Sequence, residues 1–276
     1  MAPSLTGSAH MADTDADFTG SIPEIYHRRL GPMLFEPFAL ELSQRLFGRA
    51  GYILELACGT GVVTRALALC TQAQIMATDL NPAMLDYARS RLDRSQIDWR
   101  QADAVDLPFG PALFDVVVCQ FGVMFFPDRV AAHRETRRVL RRPGTYIFSV
   151  WDSLDHNPAA AATHAAVASC FPADPPQFLA RTPHGYSDAG RIQADLVAAG
   201  YHRMAVDTVM RETQASAADL AIGFCQGSPL RAEILARDPE GLQRVTDVVQ
   251  AALAAQFGDD GFSTVLQAYV VTATQE

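Results

Sequence analysis

Three acidic residues and a glycine-rich turn are the groups in this chain whose types and spacing suit ligand binding. Glu55 precedes the turn 58–61, Asp79 follows that turn by eighteen residues, and Asp103 comes later. Glycines let a backbone approach a ligand closely, and a carboxylate at about this distance after such a turn is typical of ribose binding. Glu55 is a poor neighbour for a pyrophosphate and a good one for a cation. The pattern favours a ribose-bearing ligand with a positive charge.

These groups fall at the ends of segments that we predict to be strands. Residues 52–57, 73–79, 97–104 and 114–121 have the composition of strands, and helical spacing occupies 62–69, 83–92 and 128–140 between and after them. Such alternation predicts an α/β domain, in which ligands bind beyond the carboxyl ends of parallel strands. The three acidic residues should therefore meet at one edge of the sheet.

The glycine turn departs from the dinucleotide-binding pattern. That pattern is Gly-x-Gly-x-x-Gly, and here Gly59 and Gly61 are followed by Thr64 where the third glycine would stand. The missing glycine argues against an NAD-dependent oxidoreductase. A plain turn with glycine for steric reasons remains the alternative to a ligand-binding loop.

Five short motifs follow one another in a characteristic order. They are ELACGTG at 55–61, DLNP at 79–82, Asp103-Ala104 before LPF at 107–109, FDVV at 114–117 and RVLRRPG at 138–144. In this order and spacing the chain resembles the class I S-adenosylmethionine-dependent methyltransferases, close to the small-molecule and ubiquinone/menaquinone-type branch. The resemblance covers residues 20–152 well and the remainder in outline. Ala57-Cys58 stands where many members carry a further glycine, and the last two glycines are kept.

The resemblance implies an α/β fold, a Rossmann-like doubly wound seven-stranded sheet with its last strand antiparallel, and S-adenosyl-L-methionine as cofactor, with S-adenosyl-L-homocysteine as product. We expect Asp79 to accept hydrogen bonds from the ribose hydroxyls, Leu80 to pack on adenine, and Asp103 with the Ala104 N–H to bind the adenine edge. Glu55 should lie near the cation. The other residues expected around the methionine part and the sulfonium are Tyr26, Ala57, Cys58, Gly59, Gly61, Gln120 and Phe121.

The segments around this core divide the chain further. We expect a disordered N-terminus at 1–20, a helical lid at 21–48 broken near Gly31-Pro32 and Glu36-Pro37, the cofactor-binding core at 49–152, a cap insertion at 153–186, a core continuation at 187–213, a second cap insertion at 214–260 and the final core strand at 261–276. The lid and the two caps should wall a small, partly apolar acceptor site. Candidate walls, each of which is equally well ordinary core, are Met124, Phe125, Phe126, Phe171, Phe178 and Phe224.

Methyl transfer from a sulfonium is an in-line displacement with little demand for acid–base catalysis. A hydroxyl acceptor needs a general base, whereas a carbon or amine acceptor does not always need one. The candidate bases are His156, His164, His184 and Tyr186, and the alternative for each is a surface or packing role. The acceptor atom stays open at this point.

Composition limits the class of partner. The chain has 276 residues, a net charge of −9 and 22 basic residues that are all Arg, so it is not predisposed to bind nucleic acid. A local cluster, Arg134 to Arg142, is assigned to the solvated face of a helix rather than to RNA binding. Five scattered cysteines indicate buried thiols rather than a disulfide frame or a metal site.

No apolar run is long enough for a membrane span, and no secretory signal begins the chain, so we expect a cytoplasmic protein. A homodimer is left open. Two alternatives to a small-molecule methyltransferase remain: a non-catalytic S-adenosylmethionine-binding regulator, and an NAD-dependent oxidoreductase.

Overall fold

The computed structural model describes residues 15, 18, 20, 22–46, 48, 51–259 and 261–276. In this part of the chain seven strands form one sheet. They are β1 Tyr52–Glu55, β2 Gln74–Asp79, β3 Ile97–Gln101, β4 Phe114–Gln120, β5 Leu140–Trp151, β6 Arg203–Ala215 and β7 Phe262–Gln275. Their order across the sheet is β3-β2-β1-β4-β5-β7-β6.

Strand direction confirms the predicted fold. Strands β1 to β5 pair in parallel, whereas β7 runs antiparallel to both β5 and β6. The sheet is therefore Rossmann-like, with the last strand reversed. Its order turns between β1 and β4, which is the switch point beyond which ligands bind in open α/β sheets.

The sheet is covered by helices that mostly begin and end near the predicted positions. They are α1 Ile22–Ile25, α2 Glu36–Arg45, α3 Val62–Cys70, α4 Pro82–Arg91, α5 Arg129–Val139, α6 Pro158–Cys170, α7 Phe178–Arg181, α8 Ala189–Ala198, α9 Ala217–Gln226, α10 Leu230–Arg237 and α11 Leu242–Phe257. The side chains of Asn81, Asp128 and Asp188 cap α4, α5 and α8 by accepting backbone hydrogen bonds. Strand β4 is buried on both faces, because Val117 and Val118 point to opposite faces and are both 0% exposed.

The N-terminal lid is helical without the expected break at Gly31-Pro32. A π-helix, Tyr26–Phe35, joins α1 to α2, and the Glu36 N–H donates to the Gly31 carbonyl five residues back. This wider winding carries the chain past Pro32, which has no N–H to donate. Pro37 lies in the first turn of α2, where a missing N–H is tolerated.

The cap elements pack together as one helical layer. Helix α11 packs on α6 and α9, and α9 packs against the π-helix of the lid. Gly223 permits that last contact, since a Cβ there would lie 2.3 Å from Cδ2 of Leu30. Two residue pairs lie elsewhere than their types indicate. An Asp-Pro pair is typical of a helix start, but Asp238-Pro239 forms a turn before α11, which begins at Leu242. A Pro-Gly pair is typical of a turn before a strand, but Pro143-Gly144 lies within β5.

Most of the segment 1–20 lies outside the described residues. Asp15 and Phe18 are described, and both contact the cap or the lid: Asp15 accepts hydrogen bonds from Arg181 and Thr182, and Phe18 meets Tyr26 edge-on at 5.6 Å. None of the helices in the described part of the chain has the length and apolar character needed to cross a membrane.

Candidate functional site

A pocket lies at the switch point, beyond the carboxyl ends of the parallel strands. It offers about 920 Å³ of empty space, part of which is open to solvent. A smaller recess of about 320 Å³ adjoins it beside the glycine turn. Together the two cavities are lined by all of the predicted cofactor residues except one, namely Tyr26, Glu55, Ala57, Cys58, Gly59, Asp79, Leu80, Asp103, Ala104, Gln120 and Phe121.

The exception is Gly61, which lies outside both linings. It has φ +81° at the start of α3, and a Cβ there would lie 2.9 Å from Cδ1 of Leu92 and 3.2 Å from Cβ of Ala88. A side chain at this position would therefore push against α4. Gly61 is required for close helix packing and a left-handed backbone, which is the steric role that the alternative interpretation of the turn proposed.

The turn after β1 is held by its neighbour β2. The N–H of Gly59 donates to the Asp79 carboxylate at 2.8 Å, and the N–H of Cys58 donates to the Thr78 carbonyl at 2.9 Å. Ala57 and Gly59 have positive φ angles of 50° and 54°. This bend places short side chains and backbone, rather than bulky groups, along the wall of the recess.

Glu55 is the most deeply buried acid of the site. Its side chain is 1% exposed, and its Oε2 has no hydrogen-bond partner among the described residues. Burial and, to a smaller extent, the nearby Asp79 carboxylate raise the pKa of Glu55 to about 8, and hydrogen bonding to Thr64 opposes this rise. An unsatisfied carboxyl oxygen beside an open recess is suited to a cationic ligand, because such a ligand would restore a partner to it.

Asp79 ends β2 at the wall of the main pocket. Burial raises the pKa of its carboxyl, opposed by hydrogen bonds from the backbone N–H groups of Asn81, Gly59 and Leu80. Gln120, at the end of β4, donates to the Phe35 carbonyl at 3.0 Å, while its Oε1 has no partner among the described residues. The site thus offers acceptor oxygens at three strand ends.

Beyond β3, the loop that contains Asp103 is fixed by Arg138, which the sequence analysis placed on the solvent-exposed face of a helix. Asp103 Oδ1 accepts from the Val105 N–H at 3.0 Å. Arg138 donates to the carbonyls of Leu107 and Phe109 at 2.9 and 2.6 Å and to the Glu135 carboxylate. Arg138 therefore ties this loop to α5. The charge pattern of the sequence could not predict this role, because Arg138 looks the same as the neighbouring arginines of its cluster.

A second cavity, which we call the aromatic chamber, adjoins the cofactor pocket. It offers about 710 Å³ of empty space, part of which is open to solvent, and it is bounded by the lid, the ends of β4 and β5, and the cap. Four residues line both spaces, so the two are adjacent: Phe18, Tyr26, Phe121 and Phe125. The rings of Phe121 and Trp151 lie face to face, with centroids 3.7 Å apart and planes 6° apart.

Among the predicted apolar walls, Phe125, Phe178 and Phe224 line the chamber, and Phe126 lines the cofactor pocket. Met124 and Phe171 line neither. The prediction missed Trp151 and Phe35, which look like ordinary core residues in the sequence. Their position depends on the lid folding over the end of β5.

Only one candidate base reaches the chamber in the described structure, and it is His184. His156 is exposed, with its Nδ1 3.4 Å from the Asp152 carboxylate, and His164 is half-buried outside the lining. The Tyr186 hydroxyl donates to Asp195 at 2.8 Å. The structure therefore separates His184 from the other three candidates.

A switch-point pocket with acidic strand ends defines an α/β protein of the nucleoside-binding type. Residues 54–148 match the family described as Methyltransferase domain. The ubiquinone/menaquinone biosynthesis C-methyltransferase UbiE of Ectopseudomonas mendocina is 30% identical over 187 residues, which cover 62% of this chain and 72% of that protein. The chain belongs to the class I S-adenosylmethionine-dependent methyltransferases.

Two further similarities extend this comparison. An uncharacterized protein of Mycobacterium bovis is 34% identical over 117 residues, so the match spans 42% of this chain and 40% of the length of that curated relative. The solved phosphoethanolamine N-methyltransferase 2 of Haemonchus contortus, in complex with phosphomonomethylethanolamine and S-adenosylhomocysteine, has a TM-score of 0.62. It is 14% identical in sequence, and the superposition covers 96% of this chain and 60% of that chain.

Proposed function

We propose that this protein binds S-adenosyl-L-methionine in the switch-point pocket and transfers its methyl group to a small, partly apolar acceptor held in the aromatic chamber. The observation that carries the proposal is the adjacency of the two cavities through Tyr26, Phe121 and Phe125. A donor pocket and an acceptor chamber that share one wall provide the proximity that an in-line displacement requires.

The residues present fit this cofactor. S-adenosyl-L-methionine supplies an electrophilic methyl group on a cationic sulfur. Asp79 would accept from the ribose hydroxyls, Asp103 and Ala104 would meet the adenine edge, and Leu80 would cover the adenine face. Glu55 would hold the cationic methionine end, where its Oε2 lacks a partner among the described residues.

The aromatic residues between the cavities have two roles in this proposal. Tyr26 stacks on Phe35 with centroids 4.7 Å apart, and burial raises the pKa of Tyr26, so its hydroxyl stays protonated. Aromatic faces exclude water from the transfer path and attract a cation without competing as nucleophiles. The reaction then depends on positioning rather than on a strong base.

The glycine turn weighs against NAD as the ligand, because Thr64 stands where the dinucleotide-binding pattern has its third glycine. A non-catalytic S-adenosylmethionine-binding regulator remains the second candidate, because the same cofactor contacts serve both functions.

The test combines binding with turnover. Isothermal titration calorimetry with S-adenosylhomocysteine and with NAD should give binding for the first and none for the second. Turnover on a panel of neutral aromatic acceptors should then release S-adenosylhomocysteine, measured by mass spectrometry. The variant Ala160→Phe narrows the chamber and should lose turnover while still binding S-adenosylhomocysteine. Binding without product on any acceptor would support the regulator, and binding of NAD alone would contradict the proposal.

A further inference from the structure

The aromatic chamber contains one buried group that no part of the proposed cofactor site uses. His184 is 8% exposed and faces the chamber from the segment after α7. Its Nδ1 lies 2.6 Å from the backbone carbonyl oxygen of Asp152. A carbonyl oxygen only accepts hydrogen bonds, so Nδ1 must carry the proton of the neutral imidazole. The lone pair of the neutral ring is therefore on Nε2.

This tautomer is held firmly by its surroundings. The Asp152 carbonyl also accepts from Nδ2 of Asn157 at 3.2 Å, and Asn157 in turn bridges to the backbone of Gln267. Burial lowers the pKa of His184 to about 4, although the Asp152 carbonyl and carboxylate oppose that shift. His184 is thus neutral near pH 7 and presents an acceptor rather than a charge.

The other polar groups of the chamber away from the cofactor border are already satisfied. Asn157 uses both its amide nitrogen and its Oδ1 in hydrogen bonds to backbone. The Ser228 hydroxyl donates to the Phe224 carbonyl at 2.6 Å and accepts from the Leu230 N–H at 3.2 Å. By contrast, Nε2 of His184 has no hydrogen-bond partner in the described part of the chain.

We propose that His184 is a specificity-determining residue whose Nε2 accepts a hydrogen bond from a donor group on a neutral, ring-containing acceptor. This inference rests on the proposed function, since it names the acceptor class for the same chamber. The stacked rings of Phe121 and Trp151 provide a flat wall for a planar molecule. An acceptor nitrogen left unpaired in an apolar chamber disfavours molecules that lack a donor. The faces of the aromatic walls carry partial negative charge and therefore disfavour anions.

Three small probes of matched shape test this class: p-cresol, p-xylene and p-toluate. Binding is followed by quenching of Trp151 fluorescence in a Trp99→Phe background, with and without saturating S-adenosylhomocysteine. We expect p-cresol to bind about 3- to 10-fold more tightly than p-xylene, which corresponds to one net hydrogen bond. The anionic p-toluate should bind at least about 10-fold more weakly than p-cresol.

Two variants of His184 separate its two nitrogens. His184→Asn can still donate from its amide nitrogen to the Asp152 carbonyl, but its shorter side chain places no acceptor at the position of Nε2, so the preference for p-cresol over p-xylene should disappear. His184→Gln places an amide oxygen near the position of Nε2 and should keep part of the preference. His156→Asn, an exposed histidine outside the chamber, is the matched control and should behave as the wild type.

The inference is overturned if His184→Asn keeps the preference for p-cresol, if p-toluate binds as tightly as p-cresol, or if neither neutral probe binds. Titration with S-adenosylhomocysteine is read separately on the same samples. If S-adenosylhomocysteine binds all of these variants while the probe results go against expectation, His184 recognition fails and the proposed function stands. If it fails to bind the wild type, the proposed function fails whatever the probes do.

Discussion

The backbone N–H of Gly59 donates to one oxygen of the Asp79 carboxylate at 2.8 Å, so the glycine turn is fixed by the last residue of the neighbouring strand. The other oxygen accepts from the Asn81 N–H at 2.8 Å. Each carboxylate oxygen can accept more than one hydrogen bond. Asp79 can therefore order the turn and still bind a ligand hydroxyl from the pocket.

Replacing Asp79 by asparagine should weaken S-adenosylhomocysteine binding about 10- to 100-fold. A hydrogen bond to a charged group contributes about 1.5–3 kcal/mol, and about 1.4 kcal/mol is a factor of ten in affinity. Calorimetry measures the change. Asp86→Asn, an exposed carboxylate on α4 outside the pocket, should bind as the wild type does. Equal affinities for Asp79→Asn and wild type would remove the ribose assignment.

Binding of the cationic cofactor should depend on pH through Glu55. Because the pKa of Glu55 in the free protein is about 8, the carboxyl is mostly protonated at neutral pH. A cationic ligand favours the ionised form, so binding should release a proton and tighten as the pH rises from about 6 to about 8. Calorimetry in buffers of different ionisation enthalpy counts the proton.

The Glu55→Gln variant is the control for this linkage, because it cannot ionise at this position. The amino group of the cofactor also titrates, and it does so equally with both proteins. The difference between wild type and Glu55→Gln therefore isolates the carboxyl. Identical proton release from the two proteins would show that Glu55 does not titrate on binding.

Acid should destabilise the fold through His133. Both of its ring nitrogens are buried without a partner among the described residues, and burial lowers its pKa to about 4. An unfolded histidine titrates near about 6.5, so below that pH the unfolded state binds a proton that the folded state refuses. Stability should fall as the pH drops from about 6.5 to about 4, by about 2 kcal/mol at pH 5 for this group.

The variant His133→Phe removes the titrating ring and keeps a similar volume. Urea unfolding at about pH 5 and about pH 7.5 should show a smaller loss of free energy of unfolding than in the wild type. His202→Phe, the same substitution at an exposed position, is measured alongside as the control. A pH dependence that is the same in His133→Phe as in the wild type would refute this account.

Docking of the lid on the cap should be sensitive to one methyl group. At Gly223 a Cβ would lie 2.3 Å from Cδ2 and 2.7 Å from Cγ of Leu30. Gly223→Ala should therefore destabilise the protein by about 1–3 kcal/mol, as overpacking does. At Gly31, in the π-helix of the lid, a Cβ would meet no other atom within 4 Å, so the same change should stabilise by up to about 1 kcal/mol. Thermal unfolding should therefore show a lower melting temperature for Gly223→Ala and a higher one for the control variant. This difference would separate the effect of tertiary packing from that of helix propensity.

The sequence predicted the sheet because buried strands carry continuous apolar runs, as in Val116 to Cys119. It predicted most of the cofactor residues because parallel strands bring their carboxyl ends to one edge, which places Asp79 and Gln120 together whatever the details of packing. These are consequences of local pattern and of sheet topology. Neither requires knowledge of which side chains meet across the fold.

The features that the sequence missed depend on contacts between distant segments. Arg138 binds loop carbonyls, and Trp151 faces the chamber, only because of where other elements pack. Gly61 was assigned to the ligand because a glycine in a turn looks the same whether it makes room for a ligand or for a helix. The tautomer of His184 follows from one carbonyl oxygen that no periodicity reveals.

The position of β7 between β5 and β6 has a consequence for biosynthesis. In the described sheet β6 pairs only with β7, so β6 has no native partner strand until the ribosome has made the segment that begins at Phe262. At that stage the nascent chain would contain strands β1 to β5, which form the cofactor pocket, together with the unpaired, thirteen-residue strand β6. Unpaired strand edges are prone to aggregation, and in this sheet the pairing of β7 with β5 and β6 covers the two edges that face each other.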